Sequence, residues 1–221
     1  MRWFSVSFFI AVSLVAWAAP DDPEAVAELK GLGAIVFEDS KSKRVSEVRL
    51  NGNEKLKDAD LKHLSGFSEM TDLSMEETKI TGAGLKHLAG LQKLEWLNLW
   101  KTKVDDDGLA HLKGLVALEA LPIGGSAVTD AGLLHLVHLP ALNYLGLRDT
   151  AVTDAGVNHL AKFPALRELN LRGTQVTDAS LDTLGKMKGL RKIWLGGTKV
   201  TNAGVARLMK DLPKCIVSLE E

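Results

Sequence analysis

A single cysteine, Cys215, in 221 residues leaves no intrachain disulfide, and its distance from the N-terminus leaves no thioester lipid anchor. An excess of one charge sign is missing too. With 27 basic and 28 acidic residues the formal net charge is −1, so no global field draws nucleic acid or an anionic membrane surface. G-x-S-x-G, P-loop and HExxH patterns are all absent, so no catalytic role, cofactor or metal is expected. Aromatic residues make up 5%, with one tyrosine, which makes the placement of those few informative. Apolar content of 46% and charged content of 25% describe a chain that folds rather than one that stays disordered.

Long apolar runs are also lacking, except at the start. Met1 and Arg2 precede the run from Phe4 to Ala16, which ends in Ala16-Trp17-Ala18. A basic start, an apolar middle and an Ala-x-Ala end are the marks of an export leader over residues 1–18. Cleavage one residue later would put Pro20 directly past the scissile bond, so the mature chain is expected to begin at Ala19. The run holds roughly 15 apolar residues, short of the ~20 that span a bilayer. A secreted or periplasmic protein with no span in its mature part is the expectation.

The strongest feature is a repeat of 24 residues. Units begin at Met70, Leu94, Leu118, Leu142, Leu166 and Leu190, and a unit of 25 residues begins at Val45, which makes seven over residues 45–214. In each, L-x-L alternation places apolar side chains on one face of a short strand. Leu133, Leu136 and Leu139 then form a helical stripe. Thr129 before Asp130 supplies a helix cap and a carboxylate at the positive end of the dipole, and Thr153, Thr177 and Thr201 repeat that arrangement. Strands stack ~4.8 Å apart and helices ~8 to 10 Å apart, so the stack must curve with its strands on the concave side. Residues 19–44, with Asp22-Pro23 opening a helix and Gly31 to Phe37 a strand, are expected to cap the N-terminal end, and residues 215–221 to add a closing strand.

The pattern L-x-x-L-x-L-x-x-T-x-V-T-D-A-G-L-x-H-L-x-x-L resembles the leucine-rich-repeat family. Its Val-Thr-Asp-Ala-Gly-Leu segment is most similar to the cysteine-containing subclass found in F-box proteins. Thr78, Thr102, Thr150, Thr174 and Thr198 stand where that subclass has Asn or Cys, with Asn53 and Ser126 in the same column. No F-box is present, so a ubiquitin-ligase role does not carry over, and exported bacterial repeat proteins are the nearer likeness. The resemblance implies an α/β solenoid bent into a right-handed horseshoe arc, with a parallel concave sheet and convex helices.

Two columns invite a metal reading. His63, His87, His111, His135 and His159 occupy one place in five successive units. At 100° per residue that place lies at the boundary between neighbouring helices, where imidazoles ~8 to 10 Å apart cannot share a zinc that sits ~2 Å from each ligand. His135 and His138 share a turn, but two ligands make neither a structural nor a catalytic site. Asp105, Asp106 and Asp107 match no calcium loop, and a cap at a helix start accounts for them.

The third, fifth and seventh residues of each unit face outward from the sheet, and here the scarce aromatics gather. Trp96, Trp100 and Trp194, the three tryptophans past the leader, lie on this lattice with the single tyrosine, Tyr144. The lattice is about a tenth of the chain, so four independent coincidences would be on the order of 1 in 10,000. Asp72, Glu76 and Glu77 lie towards one end and Arg148, Arg172 and Lys192 towards the other, with Asp149 and Glu168 diluting the basic group. Pro122, Gly124 and Gly125 are expected to leave a flat patch between them. Trp96, Asn98, Trp100, Tyr144, Arg148, Arg172, Lys192 and Trp194 are therefore the candidate binding residues, for a protein or peptide ligand. A glycan stacked on the tryptophans and a structural role by self-association are the alternatives.

Overall fold

The computed structural model describes residues 21–220; the proposed leader lies outside the described residues. Asp22 caps helix α1, Pro23–Gly31, by accepting from the Glu24 N–H, and Pro23 occupies the first turn, where its missing N–H costs nothing. Nine strands follow in sequence order across one sheet: β1 Ile35–Glu38, β2 Val45–Arg49, β3 Asp72–Ser74, β4 Trp96–Asn98, β5 Ala120–Pro122, β6 Tyr144–Gly146, β7 Glu168–Asn170, β8 Lys192–Trp194 and β9 Ile216–Ser218. Strands β2 to β9 are parallel, in a register of one unit length, as in Asp72↔Trp96 and Tyr144↔Glu168. Strand β1 runs antiparallel to β2. Between β4 and β5 the register shrinks to Trp96↔Ala120, because Pro122 offers no N–H to the ladder.

Each unit buries one layer of apolar side chains between strand and helix. In the unit from Leu118, the residues Leu118, Leu121, Ile123, Val128, Leu133, Leu136 and Leu139 are all fully buried. At about 1.5 to 3 kcal/mol per large aliphatic side chain, these layers are the main stabilising term. At the N-terminal end Asp21 joins Arg44 at 2.9 Å, and both are buried beneath the first unit.

The helical side departs from the sequence reading. Asp154–Leu160 and Asn202–Asp211 are α-helical, but Asp58–Leu64, Gly82–Leu88 and Gly132–His135 are 3-10 turns. A 24-residue unit must return to its strand quickly, and the tighter turn completes the convex segment in fewer residues. No helix among the described residues is long and apolar enough to cross a membrane.

Four members of the Thr column are buried, and their hydroxyls serve their own turn rather than a neighbouring unit. Thr78, Thr102, Thr150 and Thr174 donate to the carbonyl three residues back, at 2.6 to 2.7 Å. Asn53 alone reaches outward, donating 2.7 Å to Leu32 O and accepting from Leu56 N. Because Leu147 O also accepts the Thr150 N–H, Thr150→Val removes one neutral hydrogen bond without orphaning the carbonyl. A loss of about 1 kcal/mol in urea unfolding is expected. An unchanged midpoint would show that the hydroxyl does not contribute.

The coils are joined elsewhere. Thr129 does not cap Gly132–His135, whose cap position is Ala131; its Oγ1 accepts from Ala131 N just ahead of that turn, and its N–H and Oγ1 donate to Asp106 of the unit before it at 2.8 and 2.6 Å. Asp130 holds Thr153 the same way, Asp154 holds Thr177, Asp178 holds Thr201 and Asp58 holds Thr81. These carboxylates act as clamps between consecutive coils rather than only as dipole partners. The amide and hydroxyl of Thr201 hold the Asp178 carboxyl below its ordinary value.

Candidate functional site

The outward rows of the sheet carry the candidate residues, and the structure sorts them into groups. Towards the C-terminal end, Tyr144 and Trp194 meet edge to face, with ring centres 6.4 Å apart at 88°. The Lys192 ammonium lies 4.3 Å from the Trp194 ring centre and the Arg172 guanidinium 5.9 Å. Arg172 Nε also donates to Glu220 O at 2.9 Å, which ties the cluster to the chain end. Burial raises the Tyr144 phenol above its ordinary value, against a hydrogen bond with Asn170 that lowers it. All four side chains are half-buried. Cationic groups over aromatic rings form a surface suited to a carboxylate or to a flat polar group.

Trp96 on β4 and Trp100 just past its end are half-buried, while Asn98 between them is 6% exposed. Its amide is committed: Nδ2 donates 2.6 Å to Glu76 Oε2, and Oδ1 accepts from Trp100 N at 3.0 Å. Asn98 therefore positions Glu76 and the strand end. The Lys101 ammonium stands 4.1 Å from the Trp100 ring centre and pairs with Glu77 at 2.8 Å. Arg148 is exposed and pairs with Asp149 at 3.2 Å.

Of the flat patch expected at Pro122, Gly124 and Gly125, Pro122 is half-buried and Gly125 exposed, but Gly124 is closed. A Cβ on Gly124 would come within 2.6 Å of Arg148 O and 3.1 Å of Trp100 Cδ1, and one on Gly146 within 3.0 Å of the Tyr144 hydroxyl. Both glycines are buried, and their missing side chains are the space in which the neighbouring rings lie.

Residues outside the candidate set share this face. Arg49 lies over the Phe37 ring at 4.9 Å, because antiparallel pairing sets Phe37 beside Glu47 and Ile35 beside Arg49. Glu47, Arg49, Asn51, Asp72, Ser74, Glu76, Trp96 and Asn98 line a shallow cleft of about 660 Å³. The lattice rule reaches Glu47 and Arg49, which are the third and fifth residues of the first unit. Phe37 belongs to no repeat, so no column could have found it.

Among the histidines, His63, His87, His135 and His159 are half-buried and His111 is exposed, in keeping with a place at the helix boundary. Among the described residues no group of three or more His, Cys, Asp or Glu side chains is placed to hold a metal ion. Asp105 caps Gly108 N at 3.1 Å and Asp106 clamps Thr129, which occupies two of the three adjacent carboxylates. Calorimetry with zinc, and nickel as a control, is expected to give only weak surface chelation. A stoichiometric site tighter than about micromolar would overturn the argument from helix spacing.

No family model matches the chain, and no curated protein matches it. Solved structures do. An internalin from Listeria monocytogenes matches with TM-score 0.60 at 18% identity, over 89% of this chain and 92% of that one. A second internalin from the same organism matches with TM-score 0.56 at 20% identity, over 87% of this chain and 61% of that one. The leucine-rich-repeat ectodomain of a plant membrane receptor kinase from Arabidopsis thaliana, solved in complex with Casparian strip integrity factor 2, matches with TM-score 0.53 at 18% identity, over 78% of this chain and 21% of that one. At these identities the likeness is one of fold.

Proposed function

From the premise that this chain has the leucine-rich-repeat fold, we propose that it is a non-catalytic binding module, exported from the cell, whose concave face takes a protein or peptide. The observation that carries this reading is the gathering of half-exposed Trp96, Trp100, Tyr144 and Trp194 on one face, with Lys101 held over the Trp100 ring and Arg172 and Lys192 over that of Trp194. Large rings that are already ordered lose little entropy on binding and have much area left to bury, which is why such side chains dominate binding energies. The plant receptor ectodomain, solved with its factor, is a case of the same fold holding a partner. In this reading residues 1–18 direct export, residues 19–44 cap seven repeats over residues 45–214, and residues 215–221 close the sheet.

The test is a pull-down from the exported fraction with the chain lacking residues 1–18, in parallel with a glycan array. A protein captured by the parent and lost with Trp100→Ala supports the proposal. Saturable binding to a glycan with no protein capture would replace it with a carbohydrate role. Concentration-dependent sedimentation with neither ligand would replace it with self-association.

A further inference from the structure

The cleft at the N-terminal end of the concave face has a different chemistry from the aromatic and cationic cluster at the other end. Three rows of side chains cross strands β2 to β4 there. Glu47, Asp72 and Trp96 form the first row, Arg49, Ser74 and Asn98 the second, and Asn51 and Glu76 the third. Its lining holds three carboxylates and one cation. That cation, Arg49, is already engaged by Glu47 and by the Phe37 ring. Asp72 and Glu76 form no ion pair among the described residues.

The carboxylates are held in place. Glu76 accepts one amide N–H on each oxygen, from Asn98 at 2.6 Å and from Asn51 at 3.3 Å. Asp72 accepts from the Thr71 hydroxyl at 2.6 Å. Between these two acids, on the floor of the cleft, Ser74 is 1% exposed and its Oγ has no hydrogen-bond partner among the described residues. A buried hydroxyl without a partner costs about 1 to 3 kcal/mol, and a partner arriving in the cleft recovers it. Trp96 forms one wall, and the face of an indole attracts a cation. Asp72 and Glu76 lie four residues apart on one strand, about 13 Å, too far to share a metal ion. A basic side chain entering the cleft therefore pairs directly with Asp72, beside Trp96, and feels Glu76 through its field across the cleft.

We propose that this cleft seats one basic side chain, a lysine ammonium or an arginine guanidinium, presented by the protein or peptide that the concave face binds. The proposal rests on the concave-face reading and adds the chemistry of one contact. Asp72 pairs with the cation, Trp96 stacks on it, Ser74 Oγ accepts an N–H from it, and Glu76 adds its negative field from the far side of the cleft.

The test titrates the chain with the blocked tripeptides Gly-Arg-Gly, Gly-Lys-Gly and Gly-Gln-Gly while following the Trp96 indole N–H resonance, assigned by its loss in Trp96→Phe. Saturable shifts with the basic peptides, at least about tenfold weaker with the glutamine peptide, are expected. Asp72→Asn weakens the basic peptides by about tenfold and Ser74→Ala by about threefold, while Asp107→Asn, an exposed acid on the helical side, changes neither. An equal response to the glutamine peptide, or equal weakening by Asp107→Asn, overturns the proposal. If the tripeptides fail while the captured partner still depends on Trp100 and Trp194, the cation seat is wrong and the concave-face reading stands. If the tripeptides bind and the partner ignores those tryptophans, the concave-face reading is wrong and the cleft has another use.

Discussion

Gly82→Asp is expected to cost roughly 2 to 3 kcal/mol in urea unfolding, and Asp105→Thr in the same chain to recover most of it. The reason lies in the one junction where the carboxylate clamp is missing. Residue 82 occupies the column of Asp106, Asp130, Asp154 and Asp178, and residue 105 the column of Thr129, Thr153, Thr177 and Thr201. Both departures meet at the same junction. A Cβ on residue 82 would fall on Asp105 Oδ1 and within 2.6 Å of Gly108 Cα, so the single change brings a steric clash and two facing carboxylates. With threonine at 105, the new aspartate has the N–H and hydroxyl that every other clamp uses, and the coils can move to their usual spacing. Asp105→Thr alone is expected to be near neutral, since a threonine caps the turn as Asp105 now does by accepting from Gly108 N. A double variant no more stable than Gly82→Asp would show that the clamp is not transferable between junctions.

That pair also shows what one unit of sequence hides. The strands, their register and the buried layers follow from the 24-residue period, because L-x-L alternation and stacking act within a unit and on its immediate neighbour. The role of Asp130 did not follow. Its hydrogen-bond partners lie 23 residues ahead, and within its own unit it looks like a first-turn acid. Exposure on the lattice was misjudged for a related reason. Asn98 and Ser74 are on the outward face as their positions require, but strands ~4.8 Å apart let larger neighbours cover a small residue, and both are buried. Phe37 escaped because an antiparallel strand outside the repeat delivers it. Trp96, Trp100, Tyr144 and Trp194 were legible because a scarce residue type falling in fixed columns needs no knowledge of its neighbours.

Trp96→Ala and Trp100→Ala are expected each to weaken binding of the captured partner by about 2 kcal/mol or more while lowering stability by less than about 1 kcal/mol. The two rings stand four residues apart on β4 and its continuation, a separation of about 13 Å, so one extended ligand can touch both. Each is half-buried in the free chain, Trp100 resting above Gly124 and Trp96 against the acidic cleft. A large aromatic side chain buries about 150 to 250 Å² in all, so one that is about a third open retains at most roughly 50 to 90 Å² for a partner to cover. At about 25 cal/mol per Å² that area corresponds to at most roughly 2 kcal/mol, and the ordered indole face adds contacts beyond area alone. The effect on stability is limited because what covers Trp100 in the free chain is a glycine and a Lys101 side chain that remains exposed to water, and neither leaves a closed core cavity when the ring is removed. Lys86→Ala, an exposed change on the helical side, should alter neither quantity. Binding affinity and thermal midpoint are measured on the same preparations, so a loss of binding through unfolding is recognised at once. Tryptophan variants that unfold early, or that hold the partner as tightly as the parent does, would mean the rings shield the sheet and the ligand sits elsewhere.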